Sequence, residues 1–211
     1  MTQIRKTAQV LVQILGALLP SDAKRFLFRH VLGWQIDEDV KVGFSIICSQ
    51  TVCLGRNARI GHGNLFWDLK AVDIGPDTVL LNLNHFVGGK GGVDAFWIGE
   101  VSKITSRHFF DCSGGIKIGD HALIGGRDSQ LWTHYFDAKS DRIQLRGLVI
   151  GERCYICARA TLIYCHVPPC SVVAAGSVVT GDFTGEGPGL LLAGNPAVVK
   201  RKTPSGLDKK R

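Results

Sequence analysis

One histidine lies where a proton-transfer group would be useful. Residues 131–137 read LWTHYFD, so His134 lies between a Trp-Thr pair and an aromatic stretch that ends at Asp137, directly before a polar loop. The imidazole of histidine titrates near neutral pH, so it can take a proton from a substrate and return it. A lone histidine is more often a packed or solvated residue. The elements around His134 therefore decide its role.

A second candidate is the cysteine pair of CYIC, Cys154 and Cys157. This spacing is typical of zinc and redox sites, but no second pair follows that would complete a metal site. The odd total of seven cysteines, without a recognisable signal peptide, favours a reduced, cytoplasmic setting. We interpret the cysteines as buried small residues and expect no metal.

The composition bounds both the fold and the partners. The 211-residue chain is 45% hydrophobic and 20% charged and contains 26 glycines, which favours one turn-rich β domain. The net charge of +7 is carried by the ends, with +4 on residues 1–33 and +5 on residues 200–211, which leaves −2 for the body. Nucleic-acid binding needs basic residues across a whole face, so we expect no nucleic-acid partner. The basic ends suit a membrane surface or a phosphorylated small molecule.

Residues 1–33 predict two helices separated at Pro20. The apolar stretch 8–19 is too short, and too interrupted by Gln13, to cross a bilayer. The second helix is expected to begin at Ser21 or Asp22. Two roles stay open for this segment: packing against the domain or a neighbouring subunit, and lying in a membrane interface, which would place the protein at the inner face of a membrane.

A six-residue repeat dominates the rest of the chain. An aliphatic residue followed by a small or acidic one recurs every six positions, with four changes of phase and with one cysteine and one phenylalanine in the series. The positions are Ile36, Val42, Cys48, Leu54, Ile60, Ile74, Leu80, Phe86, Ile98, Ile104, Ile118, Ile124, Ile150, Ile156, Val173 and Val179. Neither a helix nor a simple strand has this period. It predicts a parallel β-helix, in which the chain turns a corner every six residues and each coil covers the next.

The repeat breaks at two places, where we expect loops that leave the prism. One is the glycine-rich stretch around residues 82–96, and the other runs from Thr133 to Gly147 and begins at His134. Insertions in repeat folds extend over one face and often form the binding surface. We therefore predict a helical segment at 1–33, the β-helix at 34–202 and a basic tail at 203–211.

The ordered combination of hexads, THYFD, a loop, VVAAGSVVTGD and LAGNPAVVKRK resembles the hexapeptide-repeat acyltransferases, particularly maltose and galactoside O-acetyltransferases and the acetyltransferases of polysaccharide biosynthesis. The resemblance covers residues 36–202 and is strongest from residue 116. It implies a left-handed parallel β-helix, a homotrimer, and acetyl-CoA bound between neighbouring subunits.

The resemblance also assigns roles to residues. His134 matches the catalytic histidine. The cofactor positions are Ala158, Ala175, Thr180 and Gly181 along the pantetheine arm, and Lys200 and Arg201 near the CoA phosphates. RHFFD suggests that His108 and Asp111 face the acceptor. Asp137, Asp128 and Asp111 all remain candidates for orienting the ring of His134.

The resulting hypothesis is an acetyl-CoA-dependent O-acetyltransferase. A sugar hydroxyl is a weak nucleophile, so His134 would remove its proton as it attacks the thioester, without an acyl-enzyme. Three alternatives stay open: N-acetylation of an amino sugar, a non-catalytic scaffold at a membrane or partner, and a zinc-dependent β-helix enzyme. The last would need three converging histidines, whereas His62, His85, His108 and His121 are scattered along the chain.

Overall fold

A computed structural model of the chain describes residues 3–89, 91–137 and 140–202; the predicted basic tail at 203–211 lies outside the described residues. Two α-helices are followed by short strands and one 3₁₀ turn, Thr184–Glu186. The helices are α1 (Gln3–Gly16) and α2 (Ser21–Leu32). The strands are β1 (Gln35–Ile36), β2 (Lys41–Val42), β3 (Ile46–Leu54), β4 (Arg59–Ile60), β5 (Leu65–Ile74), β6 (Val79–Leu80), β7 (His85–Val87), β8 (Ala95–Ile98), β9 (Lys103–Ile104), β10 (Phe109–Asp111), β11 (Ile116–Ile118), β12 (Leu123–Ile124), β13 (Gln130–Trp132), β14 (His134–Asp137), β15 (Arg142–Leu145), β16 (Leu148–Ile150), β17 (Tyr155–Ile156), β18 (Thr161–Ile163), β19 (His166–Val167), β20 (Val172–Val173), β21 (Val178–Val179), β22 (Leu190–Gly194) and β23 (Ala197–Lys202).

The strands stack into a parallel β-solenoid of about eight turns, which confirms the predicted fold class. The first face contains the start of β3, the start of β5, and β7, β10, β13, β18 and β21. The second face contains β1, the ends of β3 and β5, and β8, β11, β16 and β19. The third face contains β2, β4, β6, β9, β12, β17, β20 and β22. β23 returns antiparallel along β22.

The six-residue repeat forms the core, as predicted. All sixteen positions of the sequence series are buried, and none is more than 9% exposed. Phe86 of this series stacks with phenylalanines of the adjacent turns, with ring centroids 4.1 Å from Phe66 and 4.4 Å from Phe110. Since each turn repeats the same inward positions, the backbone at the corners is held in a fixed register.

Side chains of the two helices cover the open edge of the first strand on each face. On the first face, Gln13 donates from Nε2 to the carbonyl of Ile47 (3.1 Å) and accepts from its N–H at 2.8 Å. On the third face, Lys24 Nζ donates to the carbonyl of Val42 at 3.0 Å. On the second face, Arg29 Nε donates to the carbonyl of Ile36 at 2.8 Å. These contacts satisfy backbone groups that an exposed edge strand would leave unpaired.

α1 therefore packs on the solenoid through polar side chains, whereas α2 buries both Lys24 and the apolar Phe28. The buried positions of α1 are Lys6, Gln9, Gln13 and Gly16, while its apolar residues face outward, with Leu15 75% and the following Leu18 91% exposed. Packing against the domain is one of the roles that the sequence left open, and α1 packs there through its polar side. The reason is that the open strand edges need hydrogen-bond partners.

Each basic side chain of residues 3–33 has a partner within the chain. The pairs are Arg5 with the Gln50 carbonyl, Lys6 with Asp68, Lys24 with the carbonyls of Ala17 and Val42, Arg25 with Asp22, and Arg29 with the Ile36 carbonyl. This use gives no support to the expected contact with an anionic membrane surface. Neither α1 nor α2 has the length and apolar character that a bilayer-spanning helix requires.

Both insertions leave the solenoid at the corner between the first and second faces. The first is shorter than predicted, because residues 82–87 still belong to the solenoid and Phe86 lies in its core. The second is an antiparallel hairpin, not an irregular loop: β14 pairs with β15, and His134 lies opposite Leu145. The two insertions are separated by one turn of the solenoid, whose corner carries Asp111 and Ser113.

Candidate active site

His134 is the first residue of the hairpin, directly after the last solenoid strand of its turn. Thr133 before it is fully buried and anchors the hairpin: its hydroxyl donates to the carbonyl of Asp111 (2.7 Å) and accepts from the N–H of Gly114 (2.7 Å). The side chain of His134 is 42% exposed. Its backbone is thus fixed by the rigid coil while its ring stays accessible, which suits a group that must meet a substrate.

Asp111 holds the imidazole. Its Oδ2 lies 2.7 Å from Nδ1 of His134 and also accepts from the backbone N–H groups of Thr133 (3.0 Å) and His134 (3.1 Å). Its Oδ1 accepts from the Ser113 hydroxyl at 2.6 Å. Because the carboxylate accepts a hydrogen bond at Nδ1, that nitrogen carries the proton and the lone pair lies on Nε2. The geometry selects Asp111 from the three aspartates that the sequence left open.

Asp111 is buried, so its charge state depends on its hydrogen bonds. Burial by itself would raise the pKa of Asp111, but the hydrogen bonds from Ser113, Thr133 and His134 outweigh burial and hold the pKa below its ordinary value. The side chain is therefore ionised near neutral pH. A buried carboxylate beside an imidazole stabilises the imidazolium that forms when the ring accepts a proton.

The suggestion that His108 and Asp111 face an acceptor is not supported by their positions. Asp111 is only 4% exposed, and both of its oxygens bind protein groups. His108 is 2% exposed; its Nε2 bonds the hydroxyl of Thr105 (2.9 Å) and its Nδ1 accepts from the N–H of Ser129 (3.2 Å). The described partners of His108 lie within the solenoid, and those of Asp111 include the ring of His134.

His108 belongs to a buried polar ladder. Each member accepts a backbone N–H from the next turn: Asn64 Oδ1 from Asn84 (3.0 Å), Asn84 Oδ1 from His108 (2.9 Å), and His108 Nδ1 from Ser129. Burial lowers the pKa of His108 from about 6.5 to about 4, while the negative charge of Asp128 acts in the opposite direction. The ring is therefore neutral at neutral pH.

This burial predicts a pH dependence of stability. The unfolded chain takes up a proton at His108 near pH 6.5 and the folded chain only near pH 4, so the contribution is fully present above pH 6.5. It is lost as the pH falls toward 4, by about 2–3 kcal/mol. Urea unfolding of the wild type and His108→Asn between pH 4 and 8 measures this, since asparagine already fills two ladder positions. If the free energy of unfolding changes with pH equally in both proteins, the contribution of His108 is contradicted.

The predicted cofactor residues lie on two edges of the first face. Ala158 and Ala175 occupy successive turns at the corner with the third face, where the Ala158 carbonyl accepts from the N–H of Gly176 (3.0 Å). Thr180 and Gly181 follow β21 at the corner with the second face, the same corner as His134. Lys200 and Arg201 are exposed on β23. A single chain therefore does not bring the six residues into one groove.

Small side chains are needed where the turns approach each other. Gly126, with φ of +72°, lies directly below Ala158, and a Cβ on it would lie 2.4 Å from the Ala158 methyl group. The half-buried Ala158 and the exposed Ala175 leave a smooth surface along this corner.

Several of the cysteines are strongly buried. Burial raises the pKa of Cys48 to about 11 and those of Cys154 and Cys165 to about 12. Cys157, the partner in CYIC, is half-buried, and burial raises its pKa as well. Thiols with raised pKa values are poor nucleophiles at neutral pH. Within the described ranges, no three His, Cys, Asp or Glu side chains converge as a metal site would require.

Clefts at the surface of the described residues include one near His134 and one away from it. The larger, about 780 Å³, lies along the second face and its corner with the third, with Trp97, Lys117, Glu100 and Asp120 in its wall. It does not include His134. The smaller, about 330 Å³, lies at the corner between the first and second faces, on the N-terminal side of His134.

Comparison with solved structures identifies the class of fold. The hexapeptide-repeat-containing acetyltransferase VCA0836 of Vibrio cholerae is 18% identical, with a TM-score of 0.56 over 96% of this chain and 92% of that one. The polysialic acid O-acetyltransferase OatWY is 13% identical, with a TM-score of 0.58 over 80% of this chain and 84% of that one.

A variant of AntD, an N-acyltransferase from Bacillus cereus in complex with dTDP and coenzyme A, is 12% identical, with a TM-score of 0.51 over 81% and 88% of the two chains. Neither a protein-family model nor a curated sequence matches the chain. At these identities the likeness is one of fold, and the fold is the one found in hexapeptide-repeat acetyltransferases. The resemblance seen in the sequence is confirmed at that level.

Sequence reasoning missed the support of His134. Ser113 and Thr133 hold Asp111, and Asp111 holds the ring, although these residues are up to 23 positions apart in the sequence. The stretch DCSGG, with a serine two residues after the aspartate and then two glycines, is a signal for a side-chain-bonded turn that would have placed Asp111 at a corner.

Proposed function

We propose that the protein is an acyltransferase that moves an acetyl group from acetyl-CoA to a hydroxyl of a sugar or saccharide, with His134 as the general base. The observation that carries the proposal is the Asp111–His134 pair, which lies at the root of a hairpin on a fold shared with hexapeptide-repeat acetyltransferases. The accessible ring on a rigid coil supports this role.

The proposed reaction is a direct transfer. Nε2 of His134 accepts the proton of the acceptor hydroxyl as its oxygen forms a bond to the acetyl carbonyl carbon. The carbon–sulfur bond then breaks, and the imidazolium returns the proton to the CoA thiolate. Asp111 stabilises the cationic ring between these steps and holds its orientation. The products are an acetyl ester and free CoA, and no covalent enzyme intermediate forms.

The cofactor positions favour a site completed by a second chain. Ala158 and Ala175 lie on one edge of the first face and Thr180 and Gly181 on the other. A pantetheine arm that contacts both groups needs the edge of one chain to meet the opposite edge of another, which the cyclic packing of three-sided prisms provides. We therefore propose a homotrimer with acetyl-CoA at each subunit boundary.

The trimer has a direct test. Sedimentation equilibrium at micromolar concentration is expected to give three times the mass of the 22.9 kDa chain. Each contact joins one edge of a chain to the opposite edge of its neighbour. Two chains cannot form a closed ring with such contacts, whereas three can. A monomer over this concentration range would contradict the proposal that the cofactor site is shared.

Arg201 is proposed to contact the CoA phosphates. Arg201→Ala is expected to weaken CoA binding roughly tenfold, because one charge-assisted hydrogen bond at an exposed position is lost. The melting temperature should change little, since the side chain is exposed on β23. Isothermal titration with CoA measures the change, and Lys41→Ala is the matched control because Lys41 is exposed on β2 at the other end of the solenoid. Equal affinity in both variants would remove Arg201 from the site.

Acetylation of an amino group is the second candidate reaction, because the same base serves an amine acceptor. The structural likeness to an N-acyltransferase is the observation that favours it. Hydroxylamine treatment of the product distinguishes the two reactions, since it cleaves an ester and leaves an amide intact. A scaffold without activity would bind neither CoA nor acceptor.

The proposed activity is tested by free thiol released from acetyl-CoA in the presence of single sugar acceptors. Release that depends on both acetyl-CoA and a sugar supports the proposal. Release that is unchanged by any acceptor across a panel of monosaccharides, disaccharides and amino sugars would overturn it.

A further inference from the structure

The smaller cleft lies at the same corner as His134, two turns toward the N-terminus. Its wall includes Lys6, Gln50, Asp68, Lys70, Gly89 and Asp94. Its volume of about 330 Å³ falls at the lower end of small-molecule sites. Charged donors and acceptors alternate around it, whereas the core beneath is apolar.

Asp94 is the unusual group in this cleft. Its side chain is 3% exposed, and its Oδ2 lies 3.5 Å from Nζ of Lys70, which also donates to the carbonyl of Gly92. Among the residues that the structure describes, its Oδ1 is buried without a hydrogen-bond partner. A buried carboxylate oxygen without a donor is costly, so a donor from outside the described chain is expected there.

Hydrogen bonds connect Asp94 to the candidate active site. The N–H of Asp94 donates to the carbonyl of Ser113 (3.2 Å), the Ser113 hydroxyl donates to Asp111 (2.6 Å), and Asp111 binds His134. Asp94 and His134 occupy the same corner two turns apart. Stacked strands are about 4.8 Å apart, so the separation along the corner is roughly 10 Å.

Glycines bring the first insertion close to this corner. A Cβ on Gly92 would lie 2.1 Å from the carbonyl oxygen of Ser113 and 3.0 Å from Cδ1 of Leu145, the residue opposite His134 in the hairpin. A Cβ on Gly89 would lie 2.7 Å from Oγ of Ser113. Gly89 and Gly92 of the insertion therefore approach the same corner that supports the hairpin.

We propose that this cleft is an acceptor subsite that binds a sugar unit next to the one acetylated, through a hydroxyl that donates to Oδ1 of Asp94. A sugar ring offers both donors and acceptors, as the mixed wall of Lys70, Asp94 and Asp68 requires. One pyranose ring is too short to fill the cleft and also reach His134. The acceptor is therefore at least a disaccharide, an inference that rests on the proposed transfer at His134.

Two variants test the subsite. Asp94→Ala removes the acceptor oxygen, and Gln50→Trp fills the cleft from an exposed position, while His134 lies outside the cleft wall. With cellobiose, lactose or chitobiose as acceptor, both variants are expected to lower kcat/KM roughly 10- to 100-fold through KM, as for loss of a hydrogen bond to a charged group. The values for glucose, galactose, N-acetylglucosamine and acetyl-CoA should stay unchanged.

The outcomes separate the subsite from the activity. A wild type that acetylates monosaccharides and disaccharides equally, with both variants unaffected, overturns the subsite and leaves the transfer intact. Ligand-observed NMR gives a readout without turnover: the wild type should bind a disaccharide more tightly than its monosaccharide, and both variants should lose that difference. A wild type that binds none of the three disaccharides at millimolar concentration also overturns the subsite. If the variants block transfer equally for monosaccharides and disaccharides, the cleft does not act on a neighbouring sugar alone, and the subsite is contradicted.

Discussion

Replacement of His134 by asparagine is expected to lower acetyl transfer about 10²- to 10⁴-fold, the usual effect of losing a positioned base. The asparagine amide can still donate to Asp111, so the hairpin keeps a hydrogen bond at its root. The trimer, the melting temperature and CoA affinity should therefore stay close to the wild type. The measurement is kcat by thiol release with a confirmed acceptor, beside a thermal melt.

His121→Asn is the matched control for this variant. His121 is exposed at a corner away from the hairpin and has φ of +56°, a conformation that asparagine tolerates. Its transfer rate is expected to equal that of the wild type. A rate within a fewfold of the wild type for His134→Asn would remove His134 from the chemistry.

Asp111→Asn is expected to have the second-largest effect, a loss of roughly 10- to 100-fold in kcat, because a charge-assisted hydrogen bond becomes a neutral one. Its amide oxygen can occupy the position of Oδ2, where Thr133 and His134 donate, and its amide nitrogen can donate to the Ser113 hydroxyl. The ring then keeps its orientation and loses the negative charge that stabilises the imidazolium. KM for acetyl-CoA should not change.

Asp111→Ala removes both the charge and the acceptor, so it is expected to lower kcat further and also the melting temperature. A higher kcat in Asp111→Asn than in Asp111→Ala indicates that Asp111 positions the ring, and equal kcat values would indicate a packing role. Asp128→Asn is the control, since Asp128 pairs with Arg107 at 3.4 Å and does not contact His134. Equal loss in the Asp111→Asn and Asp128→Asn variants would contradict the assignment.

The fold could be predicted from the sequence because its determinant is periodic. Every position of the six-residue series from Ile36 to Val179 is buried, because an apolar residue recurs wherever the chain faces the core. The N-terminal helices were predicted as elements, but their orientation was not. Hydrogen bonds from Gln13, Lys24 and Arg29 to the open strand edges determine it, and that requirement has no periodic signal.

The site could be predicted only in part. His134 lies at a break in the repeat, which the sequence displays directly. Its partner could not be chosen among three aspartates, because the stacking that brings Asp111 beside it depends on the number of residues in the intervening turn. The burial of His108 could not be predicted for a related reason, because a buried polar ladder resembles an exposed polar stretch in sequence.

In the proposed reaction this chain transfers an acetyl group to a saccharide hydroxyl through His134. Mass spectrometry of a disaccharide acceptor after incubation with acetyl-CoA and either the wild type or His134→Asn tests it most directly. We expect the wild-type product to carry one acetyl group that hydroxylamine removes, with almost none formed by the variant. An acceptor that stays unmodified by a wild type that binds CoA, or that both proteins acetylate equally, would contradict the account.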